Sequence, residues 1–374
     1  MTTIDSRARA SVRNLVSYKP GTPIDEVKRK FKLSSVIKLA SNENALGPSP
    51  KAVAALRAAA TDLHRYPDST CRELRTALAK TLKVDPELLI FGNGSDELIV
   101  LALRAFVDPG DEVMVASPTF LIYEQQARAC GASVTVVPLK DFRYDLAAMR
   151  SAVTPHTKLV FIANPDNPTG TYVTKRELEA FLSALDPHTI VFLDEAYYEF
   201  ADKADYPQSL RYLKERPVIV TRTFSKAYGL AGLRIGYGIA QPSLTAAMNA
   251  VREPFNVNSL AQAGAAAALA DRAFLARTRR AVQEGKRSLV KALDSLNLRH
   301  VPSATNFILI ELGPRASDVA AALLSRGVIV REMSAWKLPG CIRVTVGTTA
   351  ENTRFIQELK RCVRGGGRGA GGGG

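Results

Sequence analysis

The sequence predicts an α/β protein, with a three-layer αβα large domain built on a mostly parallel sheet and a smaller α/β domain after it. Three observations carry this. Short apolar runs alternate with amphipathic helical stretches through the middle of the chain. Those runs are apolar at consecutive positions, as in strands buried on both faces by helices. After about residue 270 the character changes to a long basic helix and shorter strands. A length of 374 residues at 46% hydrophobic content suffices for a large core and excludes a mostly disordered or fibrous chain.

The elements follow in order. Candidate strands occupy residues 88–91, 113–116, 133–137, 159–163, 190–193 and 218–220, with helices such as 96–106 and 175–185 between them. Thr174-x-x-Glu177 opens the second of these helices as a capping box, which satisfies two orphan N–H groups. A sheet of this kind presents ligands beyond the carboxyl ends of its strands. The later part begins with a basic helix over roughly 272–296. Strands at 307–311, 328–331 and 342–346 follow, and a second capping box, Thr348-x-x-Glu351, starts the last helix. The expected division is an N-terminal arm with part of the small domain (1–46), a large domain (47–280), a small C-terminal domain (281–364) and a glycine-rich tail (365–374). That tail, GGGRGAGGGG, cannot bury a core and reads as flexible. No internal repeat is present.

The charge is strongly basic, 50 Lys and Arg against 36 Asp and Glu, or +14. Such a balance fits nucleic acid, an acidic membrane surface or a solvated periphery. Its distribution favours the last. Residues 39–271 carry 23 bases and 26 acids, so the excess sits on the arm, the long helix and the C-terminal end. Arg364-Gly365-Gly366-Gly367-Arg368 faintly resembles a nucleic-acid-binding RGG segment, without its repeats or aromatics. No apolar run is long enough for a membrane span. Cys71, Cys130, Cys341 and Cys362 are widely spaced with no metal-ligand pattern, so no metal site is expected. Asn93-Gly94-Ser95 matches a glycosylation sequon, but no secretory signal precedes it. The Arg- and Ser-rich opening could be a transit peptide; a basic arm on a cytoplasmic protein is the simpler expectation.

Several residues could carry chemistry. Lys226, in TRTFSKAYGLAGLRIGY, follows a strand inside a Ser/Gly-rich turn, with Thr223, Ser225 and Arg234 near enough to hold one anion while the amine reacts with an aldehyde. Asp194 ends the strand of IVFLDEAYYEF, with Tyr197 three residues on. A carboxylate here either caps the strand end or keeps a pyridine nitrogen protonated. Gly92-Asn93-Gly94-Ser95-Asp96-Glu97 opens a helix whose N-terminus suits a phosphate, although Ser95 would serve equally as an N-cap. Asn167, in ANPDNPTG, lies in a turn that can present its amide to a ligand oxygen. Phe120, in SPTF, could stack on a flat ring or simply pack in the core.

Taken together and in this order, GNGSDE, SPTF, NPDNPTG, DEAYYEF, TFSKAYGLAGLRIGY and GCIRVTVGT resemble the pyridoxal-phosphate aminotransferases of fold type I, most closely the histidinol-phosphate aminotransferases. The likeness runs from about Tyr18 to residue 363. It implies pyridoxal 5′-phosphate as cofactor, carried by Lys226, which also shuttles the proton. It implies that Asp194 pairs with the ring nitrogen, that Asn167 and Tyr197 hold the phenolic oxygen, and that Phe120 covers the ring where relatives often carry Tyr. Ser95, Asp96, Thr223, Ser225 and Arg234 would surround the phosphate. Tyr66, in HRYPD, resembles the tyrosine that reaches the partner subunit's phosphate, which implies a homodimer with shared active sites. For the substrate the resemblance points to Arg343, in GCIRVTVGT, with Arg331, Asn44 and a mobile Tyr18 as further candidates. Asn44 has an equal claim to a structural turn, and Arg331 to an ion pair with Glu332.

The implied reaction is transamination between histidinol phosphate and 2-oxoglutarate, giving imidazole-acetol phosphate and glutamate in histidine biosynthesis. Two rivals share the fold: an aromatic or broad-range amino-acid aminotransferase and a threonine-phosphate decarboxylase. Partners are then small amino acids and keto acids, with no nucleic acid and no membrane.

Overall fold

The computed structural model describes residues 7–13, 15–17 and 21–365; Tyr18 and the tail from residue 366 lie outside them. In chain order the elements are α1 (Ile24–Phe31), β1 (Ile37–Lys38), α2 (Pro50–Ala59), α3 (Arg72–Leu82), β2 (Leu89–Gly92), α4 (Ser95–Phe106), β3 (Glu112–Ser117), α5 (Ile122–Cys130), β4 (Ser133–Pro138), α6 (Leu146–Ala152), β5 (Thr157–Ala163), α7 (Lys175–Ala184), β6 (Ile190–Asp194), β7 (Val218–Thr223) and β8 (Gly236–Ile239). There follow α8 (Pro242–Ala250), α9 (Ser259–Ala270), α10 (Arg272–Asp294), β9 (Phe307–Glu311), α11 (Ala316–Ser325), β10 (Val328–Ile329), β11 (Arg331–Glu332), β12 (Cys341–Thr345) and α12 (Thr349–Gly365).

Seven strands form the main sheet in the order β2-β8-β7-β6-β5-β3-β4. β8 is antiparallel to both neighbours, and the pairs among β7, β6, β5, β3 and β4 are parallel. β2, β6, β7 and β8 are buried at every position, as continuous apolar runs between two helix layers should be, whereas the edge strand β4 is mostly half-exposed. Both capping boxes form: Thr174 and Glu177 close α7, and Thr348 and Glu351 exchange hydrogen bonds ahead of α12. Among the described residues, no helix is long and apolar enough to cross a membrane.

Two parts of the sheet architecture differ from the sequence expectation. β8, in GLRIGYGIA, was not expected, because its two glycines give it the look of a turn. The glycines are there for contact: a Cβ on Gly236 would stand 2.5 Å from the Ser95 amide nitrogen. The strand expected over 328–331 is broken at Val330. β10 pairs in parallel with β1, and β11 pairs antiparallel with β12 in a three-stranded sheet ordered β11-β12-β9. The boundary expected near residue 280 falls inside α10, which runs unbroken and packs Leu275 on both large cores.

Behind β6 and β7 lies a buried ion pair. Arg222 Nη2 and Nε donate to Glu195 Oε2 at 2.8 and 2.9 Å, with both side chains almost fully buried and the guanidinium 3.4 Å from the Tyr198 ring centroid. Removing one partner strands the other charge in an apolar interior. Glu195→Leu is therefore expected to lower stability by about 3–5 kcal/mol, and the double change Glu195→Leu/Arg222→Met to recover most of it. Urea unfolding of the apo-protein, read as midpoints at constant slope, checks this.

Candidate active site

The carboxyl ends of five strands converge on one cavity of about 320 Å³. β2 delivers Ser95 and Asp96, β3 delivers Phe120, β5 delivers Asn167, β6 ends on Asp194 with Tyr197 just beyond, and β7 leads into Thr223, Ser225 and Lys226. Arg234 reaches the same cavity from the turn before β8. This is the position that a parallel sheet reserves for ligands.

One end of the cavity is built for an anion. The Arg234 guanidinium donates to Asp96 at 3.1 Å, to Ser225 Oγ at 3.4 Å and to the Ala231 carbonyl at 3.2 Å. It lies against Gly94, whose φ of +82° precedes the first turn of α4; a Cβ there would come within 2.5 Å of Arg234 Nη2. Helix N–H groups, the hydroxyls of Ser95, Thr223 and Ser225 and a guanidinium are the groups that could hold a phosphate.

Asp194 sits in the cavity's floor. Its Oδ2 accepts from Tyr123 Oη at 2.6 Å and its Oδ1 from the Ala196 amide at 3.1 Å. Burial nonetheless pushes its carboxyl up from 3.8 to about 6, since these hydrogen bonds only partly offset the loss of water. A cation against this carboxylate would relieve that penalty. Tyr197 is buried, and its Oη accepts from Asn42 Nδ2 at 2.8 Å, which leaves the phenol's own proton to be donated elsewhere. Burial raises its pKa to about 12, so it remains a phenol.

Lys226 is half-buried, with Nζ donating to the Ser41 carbonyl at 3.4 Å and standing 5.7 Å from the Tyr197 ring centroid. Burial, and then the positive charge of Arg343, lower its pKa from 10.5 to about 8. Phe120 lines the cavity and meets Tyr123 edge-on at 5.5 Å. The three chemistries match a flat ligand that carries a phosphate, a basic ring nitrogen and an aldehyde.

Other candidates stand further off. Arg343, buried on β12, donates to Asn167 Oδ1 and, at 3.0 Å, to the Ala40 carbonyl, so it adjoins the cavity behind Asn167. Arg331, its cross-strand partner on β11, lines a neighbouring groove with Trp336. Glu332, offered by the sequence as an ion-pair partner for Arg331, accepts instead from the Ser334 amide at 2.9 Å. Asn44 does not reach the cavity. Its Oδ1 accepts from the Leu46 amide at 3.0 Å, and its Nδ2 donates to the Ala227 carbonyl and Thr278 Oγ1, a structural turn. Ser41 and Glu43 line the cavity in its place. Tyr66 is 82% exposed and stacks on Phe255, outside this cavity. Tyr18 lies outside the described residues.

Residues that sequence reasoning missed include Tyr123, Asn42 and Trp336. Asn42 lies two residues before Asn44, in Ser41-Asn42-Glu43-Asn44; nothing local marks Tyr123, a tyrosine on an amphipathic helix.

Comparison with known proteins identifies the family. The profile of the family described as "Aminotransferase class I and II" matches residues 34–359. Histidinol-phosphate aminotransferase of Moorella thermoacetica is 46% identical over 359 residues, covering 96% of this chain and 93% of the relative. Histidinol-phosphate aminotransferase 1 of Nitrosococcus oceani is 47% identical, covering 95% and 96%. Among solved structures, the histidinol-phosphate aminotransferase of Sinorhizobium meliloti in complex with pyridoxal-5′-phosphate superposes with a TM-score of 0.88 at 31% identity, covering 96% of this chain and 98% of that one. The chain belongs to the aminotransferase class I and II family.

Proposed function

We propose that this protein is a pyridoxal-phosphate-dependent aminotransferase that exchanges the amino group between histidinol phosphate and 2-oxoglutarate, a step of histidine biosynthesis. The observation that carries it is the meeting, in one cavity, of a half-buried amine of lowered pKa, a buried carboxylate in want of a cation, and an anion-binding helix end. Relatives named for this activity match along nearly the whole chain at 46–47% identity.

The residues present fit the cofactor. Arg234, Ser95, Asp96, Thr223 and Ser225 would hold its phosphate, Asp194 its protonated ring nitrogen, Asn167 and Tyr197 its phenolic oxygen, and Phe120 one ring face. When bound, pyridoxal phosphate supplies an aldehyde and a ring that withdraws electrons from the substrate's α-carbon. Lys226 Nζ then takes and returns the α-proton, a role its lowered pKa suits near neutral pH. Asp194 keeps the ring nitrogen protonated, and Tyr123 and the Ala196 amide orient that carboxylate. Arg343, with Arg331 beyond it, receives the anionic end of the substrate.

The reading includes a homodimer with shared sites. Tyr66 and Phe255 stack at 4.7 Å and are both exposed, an apolar pair suited to a partner subunit's surface. Small anionic substrates of this kind go with a cytoplasmic location.

Amino transfer from glutamate is the test. Imidazole-acetol phosphate is expected to exceed phenylpyruvate by on the order of 100-fold in kcat/KM, because only the former gives the arginines a phosphate to bind. Equal use of phenylpyruvate would favour a broad-range enzyme, and release of CO₂ from threonine phosphate would favour a decarboxylase.

A further inference from the structure

The antiparallel pairing of β11 and β12 sets Arg331 directly opposite Arg343. Opposed residues project on one face of the sheet with their Cβ atoms about 5 Å apart, and like charges so placed repel. Trp336 is 2% exposed and sits on the short turn between the two strands. Its indole is 4.6 Å from the Arg331 guanidinium carbon and 5.8 Å from that of Arg343. Arg343 also lies 5.1 Å from the Phe307 ring centroid. A tryptophan face is the best aromatic partner for a guanidinium, and the attraction grows when water is excluded.

We propose that Trp336 is the positioning residue that sets specificity for a phosphate at the substrate's anionic end. By engaging both guanidinium groups, it keeps them together in spite of their repulsion. Two adjacent cations suit a dianion, whereas a carboxylate needs only the fork of Arg343. The hydrogen bonds that Arg343 now gives to Asn167 and to the Ala40 carbonyl are to neutral oxygens, which a phosphate outcompetes. The inference rests on the proposed function for the identity of the substrate, but not for the behaviour of the arginine pair.

The test compares the holoenzyme with Trp336→Leu and Trp336→Phe. Trp336→Leu is expected to raise KM for histidinol phosphate by about 10-fold, with kcat changed less than about 3-fold and KM for glutamate changed less than about 3-fold. Trp336→Phe, which keeps a ring, should restore most of the difference, and it remains informative if the leucine variant does not fold. Inhibition of glutamate turnover by inorganic phosphate gives an independent measure, with an expected rise in Ki of about 10-fold in Trp336→Leu. A wild-type enzyme that ignores histidinol phosphate overturns the functional reading, while the phosphate Ki still decides the role of Trp336. Equal losses for glutamate and histidinol phosphate, a fall in kcat alone, or an unchanged phosphate Ki would overturn the inference.

Discussion

Replacing Lys226 with alanine is expected to reduce amino transfer by on the order of 10⁴-fold while leaving the apo-protein folded. The chain has a second lysine whose pKa burial brings down to about 8, Lys286, and the contrast between them shows why Lys226 is the reactive one. Lys286 Nζ is committed to two carbonyls, those of Ser303 at 2.8 Å and Thr305 at 3.0 Å. Lys226 Nζ gives one long hydrogen bond, to Ser41, and opens on the cavity. With the pKa at about 8 instead of 10.5, about half the Lys226 amine is unprotonated at pH 8, against well under 1% at the ordinary value. Borohydride reduction with pyridoxal phosphate present should therefore fix one equivalent to the peptide carrying Lys226, at a rate that rises through about pH 8. The alanine variant should gain none. Label on Lys286, or a variant within 10-fold of wild-type turnover, would refute the assignment.

How much of this was legible in the sequence depends on what each residue's neighbours reveal. Asp194 ends the apolar run IVFL and Lys226 stands shortly past the VIV that opens β7, and in a parallel sheet the end of such a run faces the ligand side. Their places could be read from spacing alone. β8 could not, because Gly236 and Gly238 serve contacts with Ser95 and Ile90 that only the folded sheet creates. Tyr123 is similarly silent. Its hydrogen bond to Asp194 spans 71 residues and depends on α5, which packs on β3 and β4, bringing the ring to the end of β6. In the small domain, residues 328–331 look like one strand, and only the break at Val330 puts β10 with the N-terminal strand and Arg331 opposite Arg343. Asn44 shows the opposite failure. It is a reasonable ligand by its neighbours, yet its amide is spent on a turn, and Asn42, two residues earlier, bonds to Tyr197.

For Asp194→Asn, the apo-protein and the enzyme are expected to respond in opposite directions. The carboxyl rises from 3.8 to about 6 because burial disfavours its charge, so the folded state holds more protons than the unfolded one between those values. Apo stability then falls as pH rises through that window, and above it the penalty stays in full, at about 3 kcal/mol. Asparagine removes the charge and can still accept from Tyr123, but it loses the bond from the Ala196 amide, worth about 1 kcal/mol. The net expectation is an apo-protein more stable than wild type by about 1–2 kcal/mol at pH 7.5, with the gap closing near pH 4. Turnover should nonetheless fall at least ~100-fold, since a neutral amide cannot keep the ring nitrogen protonated, and the cofactor should dissociate more readily. Urea midpoints of the apo-protein at the two pH values, set beside amino transfer and cofactor retention on dialysis, measure both effects. A variant less stable than wild type at pH 7.5, or one that turns over normally, would show that Asp194 is a structural carboxylate and not the counter-charge of a bound cation.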